Sequence, residues 1–364
     1  RAGDWNICGR YWGYKDDALT DAYLVNDKTN DNRDQKAPDV AGKTGDFVFV
    51  VWQDSTYKEP YWQVYGRKMA PDGKPMTDEF RVNEKQIRHC KFPKVAVNSR
   101  TQDFVVVWQD DRDGQFDIFA RLYNYKCESQ TPDVKVNEVS NKDGAILPVV
   151  SFTDAGIAVA SQDNREGVTK ADIYFRYLKD DLSPITASKM VNLENETKHV
   201  IPAIAASDSG PFTIAWVSYQ NHIYGDIYAQ RYSHAAVAIN QNFKVNLSVA
   251  PVICGIPSVT MSNSDSISFW TSWADRAGST EGFNIRARYF DKNARFTTAV
   301  KTVNQNPFYG QRAPSVCRFG EFFSVAWLDS SRVNGRGDIF GQYYELNVNK
   351  DDTLDAVGVN YNIS

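Results

Sequence analysis

The sequence predicts an all-β fold, a β-propeller of four-stranded blades, and three observations carry the prediction. The pair Val-Asn returns at Val25-Asn26, Val82-Asn83, Val136-Asn137, Val191-Asn192, Val245-Asn246, Val303-Asn304 and Val359-Asn360, at intervals of 57, 54, 55, 54, 58 and 56 residues. A proline keeps the same beat at Pro38, Pro93, Pro148, Pro202, Pro257 and Pro314. Each unit holds about four short segments rich in Val, Ile, Phe, Tyr and Trp, split by Gly, Asp, Asn and Ser clusters. Such segments read as strands and turns, and no long stretch keeps helical periodicity. A fixed period of this size marks a repeat architecture, and four strands per repeat is the propeller plan.

Each strand has its own signal. Strand A follows the proline. Strand B is an apolar run: Phe47–Trp52, Phe104–Trp108, Ile157–Ala160, Phe212–Trp216, Ile267–Trp273 and Phe322–Trp327. A strand buried on both faces has this nearly continuous apolar character. Four runs end in Trp-x-Asp, at Trp52/Asp54, Trp108/Asp110, Trp273/Asp275 and Trp327/Asp329; the third keeps Asp163, and the fourth has Trp216 with Ser218. Strand C reads polar-apolar-x-x-Arg/Gln, from Asn6-Ile7 with Arg10 to Asp338-Ile339 with Gln342. Strand D ends in Val-Asn. The Asp is expected to cap the B–C hairpin, the Trp to fill space between sheets, and the Arg or Gln to pair with the Asp.

The repeat starts half-way. Residues 1 to 26 match only strands C and D, and the last residue, Ser364, falls where another strand A should begin. An open blade leaves unpaired strand edges. The expectation is therefore one domain with seven blade positions. An N-terminal half blade (1–37) precedes complete blades at 38–92, 93–147, 148–201, 202–256, 257–313 and 314–364. Strands A and B of the seventh would come from a segment beyond residue 364. The alternative is a six-bladed ring with the first 37 residues outside it.

Hydrophobic content of 42%, with 13% aromatics, suffices for a core, and the net charge of −4 gives no nucleic-acid footprint. No apolar run reaches the length of a membrane helix. The five cysteines, Cys8, Cys90, Cys127, Cys254 and Cys317, form no CxxC, which argues against a zinc ribbon or redox pair. Sequons at Asn195, Asn246 and Asn362 permit a secreted glycoprotein.

The most regular unit runs from Pro93 to Asn137, with Val105-Val106-Val107-Trp108-Gln109-Asp110, then Gly114, then Asp117-Ile118-Phe119-Ala120-Arg121. It resembles blade repeats of large secreted or surface proteins of microbes. The resemblance implies a propeller and an extracellular or cell-surface location, and names no activity. The units are also similar to the Asp-box hairpins of sialidase-like propellers, but lack the Ser-x-Asp-x-Gly-x-x-Trp order.

Candidate chemistry lies where the repeat is broken. Asp110, Asp111, Asp113 and Asp117 surround Gly114 and are a candidate Ca²⁺ site through hard oxygen ligands, although Arg112 interrupts them. His89 and His199 fall in D–A loops and read as exposed. Early strand A positions are small and apolar, so no ring of carboxylates is expected at the channel. Tyr57, Tyr61, Trp62, Tyr219, His222, Tyr224, Phe308 and Tyr309 sit in B–C and D–A loops, which share one face. Aromatics there suit stacking on sugar rings or a protein partner. The expectation is a non-catalytic secreted or surface module for binding, adhesion or assembly, recognising glycan or protein on that face. The alternatives are a carbohydrate-active enzyme, either glycoside hydrolase or polysaccharide lyase, and an architectural subunit of an extracellular filament or layer.

Overall fold

The computed structural model describes every residue except 1–4, 14–17, 28–32, 44, 56–60, 85–87, 139–142, 194–196, 220–224, 247–251, 262–267, 278–281, 296–297, 306–309, 321, 331–336, 348–352 and 364. The protein is an all-β propeller, and its sheets are antiparallel meanders of four strands. The chain divides into two compact units, the first running essentially to Met190 and the second from Val191.

The first unit opens with a two-stranded piece, Cys8–Gly9 against Tyr23–Leu24. Sheet 1 follows, with Gln35–Lys43, Phe47–Ser55, Trp62–Met69 and Phe80–Arg81. Sheet 2 has Cys90–Val97, Phe104–Asp110, Asp117–Tyr123 and Val134–Lys135. Sheet 3 has Ala145–Phe152, Ile157–Asp163, Asp172–Leu178 and Lys189–Met190. In the second unit, sheet 4 has Lys198–Ala206, Phe212–Tyr219, Gly225–Tyr232 and Ala238–Lys244. Sheet 5 has Val252–Met261, Phe269–Ala277, Asn284–Phe290 and Lys301–Thr302. Sheet 6 has Gln311–Phe319, Phe322–Asp329, Asp338–Asn347 and Thr353–Asn362. Gly225 and Ile253 form a parallel bridge that runs sheets 4 and 5 together. No helix among the described residues is long and apolar enough to cross a membrane. The five cysteines are free thiols.

Strand B is apolar throughout because its two faces serve two different interfaces. Phe104, Val106 and Trp108 pack with Phe49, Val51 and Val64 of sheet 1. Val105 and Val107, on the alternate face, pack with Val150 and Val159 of sheet 3. Alternation with period two therefore divides one continuous run between two cores.

The Val-Asn and polar-apolar motifs turn out to be two halves of one contact. The Asn83 Oδ1 accepts from the Val64 N–H at 2.9 Å, while its Nδ2 donates to the Gln63 Oε1 at 2.7 Å. Asn137 does the same with Ile118 and Asp117, and Asn246 with Ile227 and Asp226. The spacing of 20 residues between polar partner and Asn is set by this bond. Each Asn replaces a missing strand D hydrogen bond, a contribution of about 1 kcal/mol per bond.

Three expectations are corrected. In sheet 6 the Ile363 N–H, not that of Val359, donates to the Ile339 carbonyl, the bond that Val82 makes to Val64. Val359 is 63% exposed, so its Val-Asn pair is out of register with the other six. The strand C arginines do not pair with the Trp-x-Asp carboxylates. They reach the carbonyl of the preceding Val-Asn valine: Arg67 to Val25, Arg121 to Val82, Arg176 to Val136 and Arg288 to Val245. His199 is no exposed loop residue. It lies buried on a strand and accepts the Trp216 indole N–H at 3.2 Å.

Every strand A bulges at its proline, as the register shifts at Lys36/Asp39, Lys91/Lys94 and Ile146/Val149 show. Before five of the six prolines the residue turns left-handed, with φ of 51° at Ala37, 50° at Phe92, 52° at Leu147, 55° at Ile201 and 48° at Ala313. Such a conformation in a non-glycine residue costs about 1–3 kcal/mol. The Phe92 and Leu147 N–H groups are taken up by Gln53 and Gln109, the middle residues of Trp-Gln-Asp in the sheet before.

Candidate functional site

In the first unit, the end of the sheets carrying the B–C and D–A loops brings two indoles to one lysine. Trp5 and Trp62 occupy the same repeat position, just before Asn6-Ile7 and Gln63-Val64. The Gln35 N–H donates to the Trp5 carbonyl at 2.9 Å, which brings the start of strand A beside Trp5. Lys36, the next residue, puts its Nζ 5.8 Å from the Trp5 ring centroid and 5.5 Å from that of Trp62. An exposed cation–π contact of this kind contributes about 0.5–1 kcal/mol. Trp5 is 65% exposed, and Trp62 is half-buried.

A carboxylate completes this group. Asp34 accepts from the Lys36 Nζ at 2.9 Å and from the Trp5 N–H at 3.3 Å. Its own N–H is held by the Ser55 hydroxyl at 2.8 Å. The Lys36 hydrogen bond holds its carboxyl below the usual carboxylate range, so Asp34 is ionised at neutral pH.

Behind Trp62 stands His89. Its Nδ1 accepts the Trp62 backbone N–H at 3.2 Å, and the Tyr61 ring meets it edge-on at 5.2 Å. The His89 backbone N–H donates to the Asp111 Oδ1 at 2.7 Å, which fixes the segment that carries the ring. Burial lowers the His89 pKa, so the ring is neutral near pH 7 and its Nδ1 is free to accept. Two aromatic faces beside a charged pair are suited to a sugar, whose C–H faces stack while its hydroxyls bond to Lys36 and Asp34.

Of the expected loop aromatics, Tyr61 and Trp62 belong to this group. Tyr219 ends a strand of the second unit and is half-buried, with Gly225 packed close to its ring. Tyr57, His222, Tyr224, Phe308 and Tyr309 lie outside the described residues. So does the sequon Asn195. Asn246 is buried with its amide bonded to Asp226, which commits it to the sheet rather than to a glycan. Asn362 is exposed.

The candidate calcium ligands do not converge. Asp110 is buried and takes the Arg112 guanidinium, the Trp108 indole N–H at 3.1 Å and the Cys90 thiol at 3.1 Å. Burial pushes the Asp110 pKa up, but Arg112 outweighs it and holds the carboxyl below its usual range. Asp117 is buried against Lys135 at 2.6 Å and Asn137. Asp111 serves His89, and Asp113 is exposed. Among the described residues no group of three or more His, Cys, Asp or Glu side chains is arranged to hold a metal ion. The physical reason is that protein cations already neutralise the two buried carboxylates.

Reading from the sequence missed Trp5, Asp34, Lys36 and the partner role of His89. One signal was present: Trp5 and Trp62 lie 57 residues apart, the same interval that separates Val25 from Val82.

No protein-family model matches the chain, and no curated protein matches it. Solved structures do. The chain is similar to an α-L-arabinofuranosidase of Fusarium graminearum in complex with an iminosugar inhibitor, at 10% identity and a TM-score of 0.57, over 86% of this chain and 93% of that one. It is similar to a protein of unknown function from Dyadobacter fermentans, at 11% identity and a TM-score of 0.57, over 87% and 96%. It is also similar to an α-L-arabinanase of Penicillium chrysogenum complexed with arabinobiose, at 10% identity and a TM-score of 0.54, over 84% and 92%. At these identities the likeness is one of fold. The expectation of a non-catalytic module is overturned by this finding. The same fold, over most of the chain, is that of an arabinofuranosidase and an arabinanase.

Proposed function

We propose that the protein is a glycoside hydrolase acting on arabinose-containing glycans, with the substrate seated on the Trp5–Lys36–Trp62 platform. The observation that carries the reading is the pair of indoles within 6 Å of one Lys36 Nζ, with ionised Asp34 bonded to that ammonium. Glycoside hydrolysis uses a pair of carboxyl groups, one an acid that protonates the leaving oxygen and one an ionised carboxylate on the other face of the sugar. Asp34 is suited to be the ionised member of that pair, bonded to Lys36 and to the Trp5 N–H. The shared fold with an arabinofuranosidase and an arabinanase supports the choice of sugar. An extracellular or cell-surface location, where such polymers are met, goes with this reading.

The test is release of reducing ends from arabinan and arabinobiose. Asp34→Asn is expected to lower kcat by about 100-fold or more, since it removes charge without bulk. Trp62→Ala is expected to raise KM by about tenfold, the loss of one stacking face. Absence of both hydrolysis and binding on these glycans would remove the proposal.

A further inference from the structure

We propose that His89 is a positioning residue that aims Trp62 at the glycan, and that its protonation releases the platform in acid. The inference rests on the glycan reading above. Its geometry stands on two contacts made by the imidazole and one made by the backbone of the same residue. Nδ1 accepts the Trp62 N–H at 3.2 Å, the Tyr61 ring packs edge-on at 5.2 Å, and the His89 backbone N–H is anchored on Asp111 at 2.7 Å. Trp62 begins its strand at this bond, so the direction in which the indole leaves the sheet depends on it.

A backbone N–H has no second role available. When Nδ1 gains a proton, two donors face each other and the bond is lost. Four groups face the ring. Asp111, on the B–C turn of sheet 2, favours the proton; Lys91 on strand A and Arg88 on the ring's own segment oppose it; Tyr61, on the segment leading into strand C of sheet 1, supplies the aromatic edge. Burial opposes protonation most. The balance lowers the His89 pKa below its ordinary value of 6.5. The bond is therefore intact above that ordinary value and is lost as pH falls through the depressed one.

The experiment is binding of arabinobiose by the intact protein between pH 8 and pH 4.5, with a parallel ¹H–¹⁵N titration of the Trp62 amide. In the wild type, affinity is expected to fall by about tenfold per pH unit below the His89 pKa. The Trp62 amide should shift with the same midpoint. His89→Asn keeps an acceptor near the Nδ1 position and cannot titrate, so both profiles should be flat. His89→Leu has no acceptor and should bind weakly at every pH. A Trp62 amide that does not titrate in the wild type, or that titrates equally in His89→Asn, overturns the inference. Arabinobiose binding that is absent at every pH, with the amide still titrating, removes the glycan reading and leaves the positioning role standing.

Discussion

Two kinds of sheet differ at one residue of strand C, and the difference reaches the outer edge. Sheets 1, 2, 3 and 5 carry arginine there, and sheets 4 and 6 carry glutamine. In the arginine sheets the guanidinium takes the valine carbonyl of the preceding Val-Asn pair. The carbonyl of a threonine ten residues on completes the contact in three of these sheets, Arg67 with Thr77, Arg176 with Thr186 and Arg288 with Thr298, and Arg10 reaches the Thr20 carbonyl in the same way. The Thr77 hydroxyl accepts the N–H of Lys68, and Thr298 that of Tyr289. Strand D is left only two residues long, as at Phe80–Arg81 and Lys301–Thr302.

Glutamine is too short for that span. Asn242 and Asn360 take over, donating to the Val191 carbonyl at 3.1 Å and the Val303 carbonyl at 3.2 Å. Gln230 and Gln342 accept from those same amides. Strand D must then run far enough to bring the asparagine into place. It spans Ala238–Lys244 in sheet 4 and Thr353–Asn362 in sheet 6, each with a register shift opposite the glutamine. Length of the outer strand thus follows from the reach of one side chain.

The largest effect should come from Arg67→Ala. It takes a buried guanidinium from the Val25 carbonyl and breaks its 2.6 Å pair with the partly exposed Asp27. A loss of about 3 kcal/mol in urea denaturation is expected. Gln230→Arg sharpens the comparison from the other side. The longer side chain meets Asn242 in the place it needs, and overpacking should cost about 2 kcal/mol. Adding Asn242→Ala should recover part of that loss, with a coupling of about 1 kcal/mol in the double-mutant cycle. Strictly additive effects would show that arginine and asparagine do not compete for one site. Thr77→Val should cost about 1 kcal/mol, because it removes the hydroxyl that accepts the Lys68 N–H; it keeps the carbonyl that Arg67 reaches, so its cost should add to that of Arg67→Ala.

How far the fold could be read in advance depended on whether a residue answers to its own repeat. Trp108 and Asp110 are two apart on one face of a strand, so their bond is local and periodic. The Trp216 indole, lacking that Asp, turns to His199, and Trp327 turns to Gln311 at 2.7 Å although Asp329 is present. Both partners stand on strand A, and no spacing rule within strand B points to them. The candidate site divides in the same way. Trp62 was legible as an aromatic on a loop. Lys36 looked like an ordinary residue before a proline until the bulge at Ala37 turned its chain. His89 reads as a loop residue by position, whereas its role comes from a backbone N–H 27 residues earlier.

By itself the sequence determined the all-β class and the four-stranded unit. Both follow from alternation and from turn residues that recur in every repeat. Only the tertiary structure decided which carboxylates are neutralised, which residue each arginine reaches, and that two indoles share a lysine. Those outcomes depend on contacts between neighbouring sheets, where burial and distance, rather than residue type, choose the partner.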